Sequence, residues 1–265
     1  MRHNAEVAPS VAARVLNVLG AFSADHPVLT LSELSRRAGL PLSTTHRLVG
    51  ELTARGALER DSDGGYRVGL WLWEVASLAP HGAGLRENAM PFLEDLYEAT
   101  HQHVQLAVLD AAEVVYIERI SARHAIKIQS RVGGRLPVHA TGVGLVLLAF
   151  SPPVTQEEVL ATPLRRYSPK TISSGTQLRR VLANVRRDGY VISDGQIEPD
   201  VVSVAAPVYG DGDAVVAALS VVVPVRSTDP RTLVPAVRAA ARGISRALGA
   251  PRAGRVSADA RRETL

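Results

Sequence analysis

Three groups of residues place donors, acceptors or charge at spacings that suit chemistry. Ser43-Thr44-Thr45-His46-Arg47 puts three hydroxyls, an imidazole and a guanidinium in consecutive positions. At the start of a helix such hydroxyls donate to phosphate, and an arginine reaches a base edge or a further phosphate. Thr141-Gly142-Val143 precedes an apolar run. A helix starting there leaves its first amides without internal partners, glycine lets a ligand approach the backbone, and a carboxylate is the natural acceptor. The third group is histidine. His101 and His103 enter a strand two apart, where alternation would put both on one face, and His124 or His139 would complete a metal site. A solvated or packed pair is the favoured reading, so no metal is expected. His139 in PVHATG resembles a general base but is better read as shaping its loop. No nucleophile elbow, phosphate-cradling glycine loop or nucleotide fingerprint occurs, so neither catalysis nor a cofactor is expected.

The elements that must position these groups follow from periodicity. Val11 to Ala21 places Val11, Val15, Val18, Leu19 and Phe22 at helical spacing. A second helix begins at Thr30 or Ser32, with Leu34 and Ala38 inward and Arg36 and Arg37 outward, and Gly39 ends it. Ser43 is the expected N-cap of the third helix, Thr44 to Arg55. Its inward arc holds Thr45, Leu48, Val49 and Leu52; Ser43, Thr44, Arg47, Gly50 and Glu51 face out, with His46 at the margin. Leu58-Glu59-Arg60 and Tyr66-Arg67-Val68 flank Asp63-Gly64-Gly65, a hairpin signal. Helix, turn, helix, hairpin is the order of a winged helix-turn-helix, with the second helix of the pair in the DNA major groove. Arg36, Arg37, Arg60 and Arg67 are then candidates for flanking backbone.

Beyond a helix at 70–78, Pro80-His81-Gly82 marks a break. An amphipathic helix from Leu85 to Thr100 precedes strands at 104–109 and 114–120. A loop at 133–144 leads into a helix at 143–150, and a further helix runs over 177–188. Strands at 202–208 and 214–223 flank Gly210–Asp213, and Asp229-Pro230 caps a last helix. This alternation predicts an α/β or α+β sheet domain. The expected organisation is a flexible amino terminus (1–10), a mainly α winged module (11–69), a linker helix and break (70–84), an α/β, GAF- or PAS-like effector-binding domain (85–250) and a disordered tail (251–265).

Composition narrows the classes. Hydrophobic residues make up 46% and charged residues 21% of 265, as in a globular protein with a filled core. No cysteine occurs, which excludes disulfides, thiolate zinc sites and cysteine nucleophiles. MRHNAEVAPS holds no apolar run and no window approaches a membrane span, so a cytoplasmic protein without membrane contact is expected. Of 30 basic residues, 28 are arginine, which suits phosphate but also follows from codon bias in a GC-rich genome. Residues 1–70 hold eight arginines against seven acids, so any nucleic-acid contact rests on where charges sit rather than on their sum.

Over residues 11–250 the chain resembles the isocitrate-lyase-regulator (IclR) family of bacterial transcription factors. The resemblance lies in LSELSRRAGLPLSTTHRLVGEL, in Gly134-Arg-Leu-Pro-Val-His-Ala-Thr-Gly-Val-Gly144, and in Asp188-Gly-Tyr190 with Glu198-Pro199, Val204-Ala-Ala-Pro-Val208 and Ala217-Ala-Leu-Ser220. The chain departs from the family where Leu145 replaces a lysine, Asp200 a glycine and Ser203 a cysteine. An acidic cluster is thinned to Ser193, Asp194, Gly195 and Gln196. The resemblance implies a small organic acid held by the amides of the Thr141-Gly142-Val143 loop and by Ser193 or Asp194, Ser203 and Ser220. It also implies dimers or dimers of dimers. The expected function is a DNA-binding regulator of a double-stranded, pseudo-palindromic operator, controlled by a carboxylate effector, with repression favoured over activation. The rivals are an enzyme carrying a regulatory DNA-binding module and a sensor acting through protein contacts.

Overall fold

The computed structural model describes residues 9–23, 25–79, 83–121, 126–227 and 229–251. The expected flexible start up to residue 8, the Pro80-His81-Gly82 break, His124 and the expected disordered tail from residue 252 lie outside them. The chain forms two compact units, 1–82 and 83–265.

In the first unit, Val11–Gly20 (α1) is capped by Ser10, whose hydroxyl accepts the Ala13 amide. Leu31–Ala38 (α2) starts at Thr30, where hydroxyl and Glu33 carboxylate each accept the other residue's amide. It stops at Gly39, φ +66°, a left-handed conformation that glycine adopts without strain. Leu42–Ala54 (α3) begins two residues before the expected start, and the expected Ser43 cap is corrected: Pro41 stands at the N-cap, with no side-chain cap bond, and Ser43 is the second helical residue. The fixed φ of proline presets the entry to the helix and removes the need for a hydroxyl. Val18, Leu34, Leu48, Val49, Leu58 and Tyr66 close one core among these helices and the wing. The wing is a three-stranded sheet. Leu58–Arg60 (β2) and Tyr66–Val68 (β3) pair as expected, and the unforeseen two-residue strand Val28–Leu29 (β1) pairs β3 on its other side. Leu70–Ser77 (α4) follows with no buried residue.

The second unit is built on a six-stranded sheet. Ala83–Thr100 (α5) leads into His103–Asp110 (β4) and Glu113–Ile120 (β5), joined by a tight turn. Arg135–Pro137 (β6) and a short 3₁₀ turn precede Gly142–Phe150 (α6), Pro153–Ala161 (α7) and Gly175–Asp188 (α8). Val191–Asp194 (β7), Val201–Tyr209 (β8), Val215–Pro224 (β9) and Val234–Ala247 (α9) complete the unit. Strand order is β6-β5-β4-β9-β8-β7 with every ladder antiparallel, which resolves the open choice toward the α+β arrangement. β6, β7 and α7 were not anticipated.

Period-two alternation sorts each strand between two cores. Val202, Val204, Leu219, Val221 and Leu106 pack against α5 and α9, while Ala205, Ala218 and Ala107 face α6 and α8. β5 carries one irregularity. Leu106 pairs Glu118 but Ala107 pairs Tyr116, so Ile117 is an extra residue, a β-bulge. On its amino side Tyr116 faces α6. On its carboxyl side Glu118 turns toward α5, where it ion-pairs Arg86 at 2.5 Å, and Arg119 comes opposite Gln105.

Candidate functional site

On α3 the buried stripe is Thr45, Leu48 and Val49, and the opposite arc of Ser43, His46, Arg47 and Gly50 is exposed. The first intrahelical amide bond is Thr45 N to Pro41 O, so the amides of Leu42, Ser43 and Thr44 precede it at a helix start that no side chain caps. Thr45 corrects one expectation. Its side chain is wholly buried and its hydroxyl donates to the Pro41 carbonyl at 3.1 Å, so it packs the helix and offers nothing to a phosphate. Arg47 reaches back along its own helix to Glu51 at 2.7 Å in an exposed pair.

The other arginines differ in freedom. Arg36 is exposed, whereas Arg37 donates its Nε to the Ala21 carbonyl at 2.8 Å and ties α2 to the end of α1. On the wing Arg67 pairs its cross-strand neighbour Glu59 at 2.8 Å, and the Arg60 guanidinium lies 5.7 Å from the Tyr66 ring centre.

In the second unit a cavity opens between α6 and the sheet, enclosing about 470 Å³ including its open mouth. Thr141, Gly142, Val143, Ser193, Ser203 and Ser220 all line it. Thr141 is the N-cap of α6, its hydroxyl accepting the Gly144 amide at 3.1 Å, which leaves the Gly142 and Val143 amides ahead of the first turn. Gly142 is required by space: a Cβ there would stand 2.4 Å from Ser203 Oγ and 3.4 Å from Ser193 Cβ. Asp194 is a further correction. Alternation along β7 turns it outward, where it binds Lys170 at 2.8 Å, while Ser193 takes the inner face.

Gln196, from the thinned cluster, lines the cavity too, and four polar wall residues were not foreseen: Gln105, Tyr116, Ser130 and Glu198. Gln105 is the one long polar side chain inside the apolar β4 run, and that was the signal available in the sequence. Its amide donates to Ser130 Oγ at 2.6 Å. Tyr116, only 3% exposed, brings a hydroxyl to the cavity wall, and burial pushes its pKa upward so that it stays protonated. The segment 195–200 covers one side. Ser168 and Thr171 donate to the Gly195 and Gln196 carbonyls, and the Gln196 side chain accepts the Ile172 amide at 2.8 Å.

The histidines do not converge. His101 stands before β4 with φ +50°, off the strand, its ring edge-on to Tyr97 at 6.0 Å, so the shared face expected with His103 does not form. His103 is buried. Its Nε2–H donates to the Ile126 carbonyl at 2.6 Å, and Nδ1 accepts from the Ser121 hydroxyl at 3.0 Å. His139 donates Nε2–H to the Arg165 carbonyl at 3.0 Å beside Tyr167, and it supports the loop before α6. Among the described residues no group of three histidine or carboxylate side chains is placed to hold a metal, and no helix is long and apolar enough to cross a membrane.

Both units match families of known proteins. Residues 11–62 match the model of the IclR helix-turn-helix domain, and residues 78–246 that of the bacterial transcriptional regulator IclR C-terminal domain. The HTH-type transcriptional regulator XynR of Escherichia coli is 33% identical over 243 residues, 90% of this chain and 96% of XynR. The HTH-type transcriptional repressor AllR of Salmonella typhimurium is 33% identical over 228 residues, 83% of each chain. Among solved structures, an IclR homologue from Microbacterium hydrocarbonoxydans complexed with 4-hydroxybenzoate superposes with a TM-score of 0.87. It is 44% identical over 91% of this chain and the whole of that one.

Proposed function

This chain belongs to the IclR family of bacterial transcriptional regulators, and from that premise we propose that it binds a pseudo-palindromic operator and is released from or held on it by a small carboxylic acid. The observation that carries the proposal is the division of α3 into a sealed stripe and an exposed arc with Ser43 and Arg47, at a helix start whose amides lack a cap. Those amides and Ser43 suit a phosphate, and Arg47 a base edge in the major groove. Arg36, Arg60 and Arg67 supply flanking backbone contacts in this reading, and Thr44 and His46 border them.

Support for the acid comes from the cavity. Two helix amides and the hydroxyls of Ser193 and Ser203 come together beside Gly142, with Ser220 on the next strand, between apolar walls from Leu136, Val143, Ile197, Val201 and Val222. Donors without a carboxylate or second charge among them favour an anion of one unit. The solved homologue with 4-hydroxybenzoate makes a single-ring acid the first class to examine. Control is then a coupling free energy between the cavity and the operator face. The naming of AllR as a repressor favours repression here.

The experiment is a gel-shift titration of the full chain on genomic duplexes at fixed salt, with and without benzoate-type acids. Retention of a particular fragment, altered by one of the acids, is the expected result. Failure to retain any duplex above non-specific affinity would defeat the operator reading.

A further inference from the structure

The cavity has a second polar end. Gly142 sits over Ser203 and Ser193 on β8 and β7, whereas Gln105 and Tyr116 stand on β4 and β5. β8 and β5 are three strand spacings apart, about 14 Å. The hydroxyls of Ser193, Ser220 and Tyr116, residues that are 6%, 2% and 3% exposed, open to the cavity and have no hydrogen-bond partner among the described residues. Glu198 also lines the cavity. One of its oxygens, Oε1, accepts the Gln129 amide at 2.9 Å, and Oε2 has no hydrogen bond among the described residues. Arg119 shares the cavity face with Gln105, but its Nη1 and Nε are bound to the Ser130 carbonyl and the Ser121 hydroxyl. Arg119 therefore braces the wall from behind, and Glu198 is the one charged side chain among the described residues that lines the cavity.

We infer that Glu198 selects the effector's far end: the chain takes monocarboxylic acids carrying a distal hydroxyl or amine, which donates to Glu198 Oε2, and rejects dicarboxylates. The inference rests on the carboxylate reading of the Gly142 end. An unpaired acceptor in a half-buried wall gains a charge-assisted hydrogen bond from a donor and repels a second carboxylate. Burial already holds the Glu198 carboxyl above its ordinary range, against the pull of the Gln129 amide and Arg119. A donor on the ligand relieves part of that cost.

The test is calorimetric titration of the full chain with benzoate, its 3- and 4-hydroxy derivatives, and the matching dicarboxylates isophthalate and terephthalate. Wild type is expected to favour the better hydroxybenzoate over benzoate by about tenfold, with the dicarboxylates weaker than benzoate. In Glu198→Gln the amide oxygen keeps the Gln129 bond and the Nε2–H faces the cavity. That variant should lose most of the hydroxyl preference and gain about tenfold for a dicarboxylate, a gain that misfolding cannot produce. Dicarboxylates equal to benzoate in wild type, or both ratios unchanged in the variant, overturn the role of Glu198 and leave the carboxylate end standing. If none of the acids binds, both readings fall.

Discussion

Arg47 and Gly142 make opposite demands on their surroundings. Arg47 sits in the open with Glu51 as its one partner among the described residues, and an exposed i,i+4 pair of this kind contributes only about 0.3–0.5 kcal/mol. Its guanidinium is thus cheaply redirected, and Arg47→Ala should leave the fold intact. It should weaken binding to a retained duplex by about 1–3 kcal/mol, read in a salt-controlled titration; unchanged affinity would move the reading surface elsewhere. Gly142 has no such latitude, because any side chain meets Ser203 and Ser193 within the cavity. Gly142→Leu is expected to abolish the thermal shift produced by an acid that stabilises wild type, while duplex retention persists. A variant responding at the same acid concentration would place the effector elsewhere.

At the scale of elements, His103 spans the two edges of the segment 121–126, bonded to Ser121 on one side and the Ile126 carbonyl on the other. Burial holds its imidazole below the ordinary pKa, and Arg119 adds to the effect against the Ile126 bond, so the folded unit prefers the neutral ring. The unfolded chain protonates near pH ~6.5. Stability from this group is therefore present above that pH and is lost as pH falls through the folded value. Thermal melts between pH 7.5 and 5.5 should show a steeper fall for wild type than for His103→Gln; parallel curves would remove His103 as the cause. The sequence foretold such elements unevenly. Amphipathic helices and β-branched strands were legible because one periodicity ran long enough. β1 and β7, of two and four residues, carry too few turns of a pattern to register. Ser193, Ser203 and Ser220 were legible as a set through family resemblance, but Tyr116 and Glu198 join the cavity by tertiary placement alone. Thr45 belongs by spacing to the inward arc and by type to the hydroxyl run suited to phosphate, and the core claims it.

At the scale of the molecule, α4 is the unexplained surface. Leu70, Trp71, Trp73, Val75 and Leu78 are all exposed, Trp73 at 68% and Leu78 at 81%, on a helix with nothing buried. A monomer seldom leaves so apolar a patch in water. It supports the dimer that a two-fold operator would require. Trp73→Glu should shift the sedimenting species toward monomer and weaken duplex binding together. A variant that sediments unchanged would exclude α4 from the interface.

The extra residue in β5 has a corollary for the chemistry of the wall. Because Ile117 is unpaired, it sets which neighbours look into the chamber on its carboxyl side, with Arg119 bracing the wall and Glu118 turned away to Arg86. Paired opposite Leu106 instead of bulged out, Ile117 would push Glu118 opposite Gln105 and set an acid where a base now stands, whereas deleting Ile117 would leave Glu118 and Arg119 on their present faces. The bulge thus absorbs an odd residue, and closing it with that residue still in place would reverse the charge on this wall without any substitution at the positions that touch the small molecule.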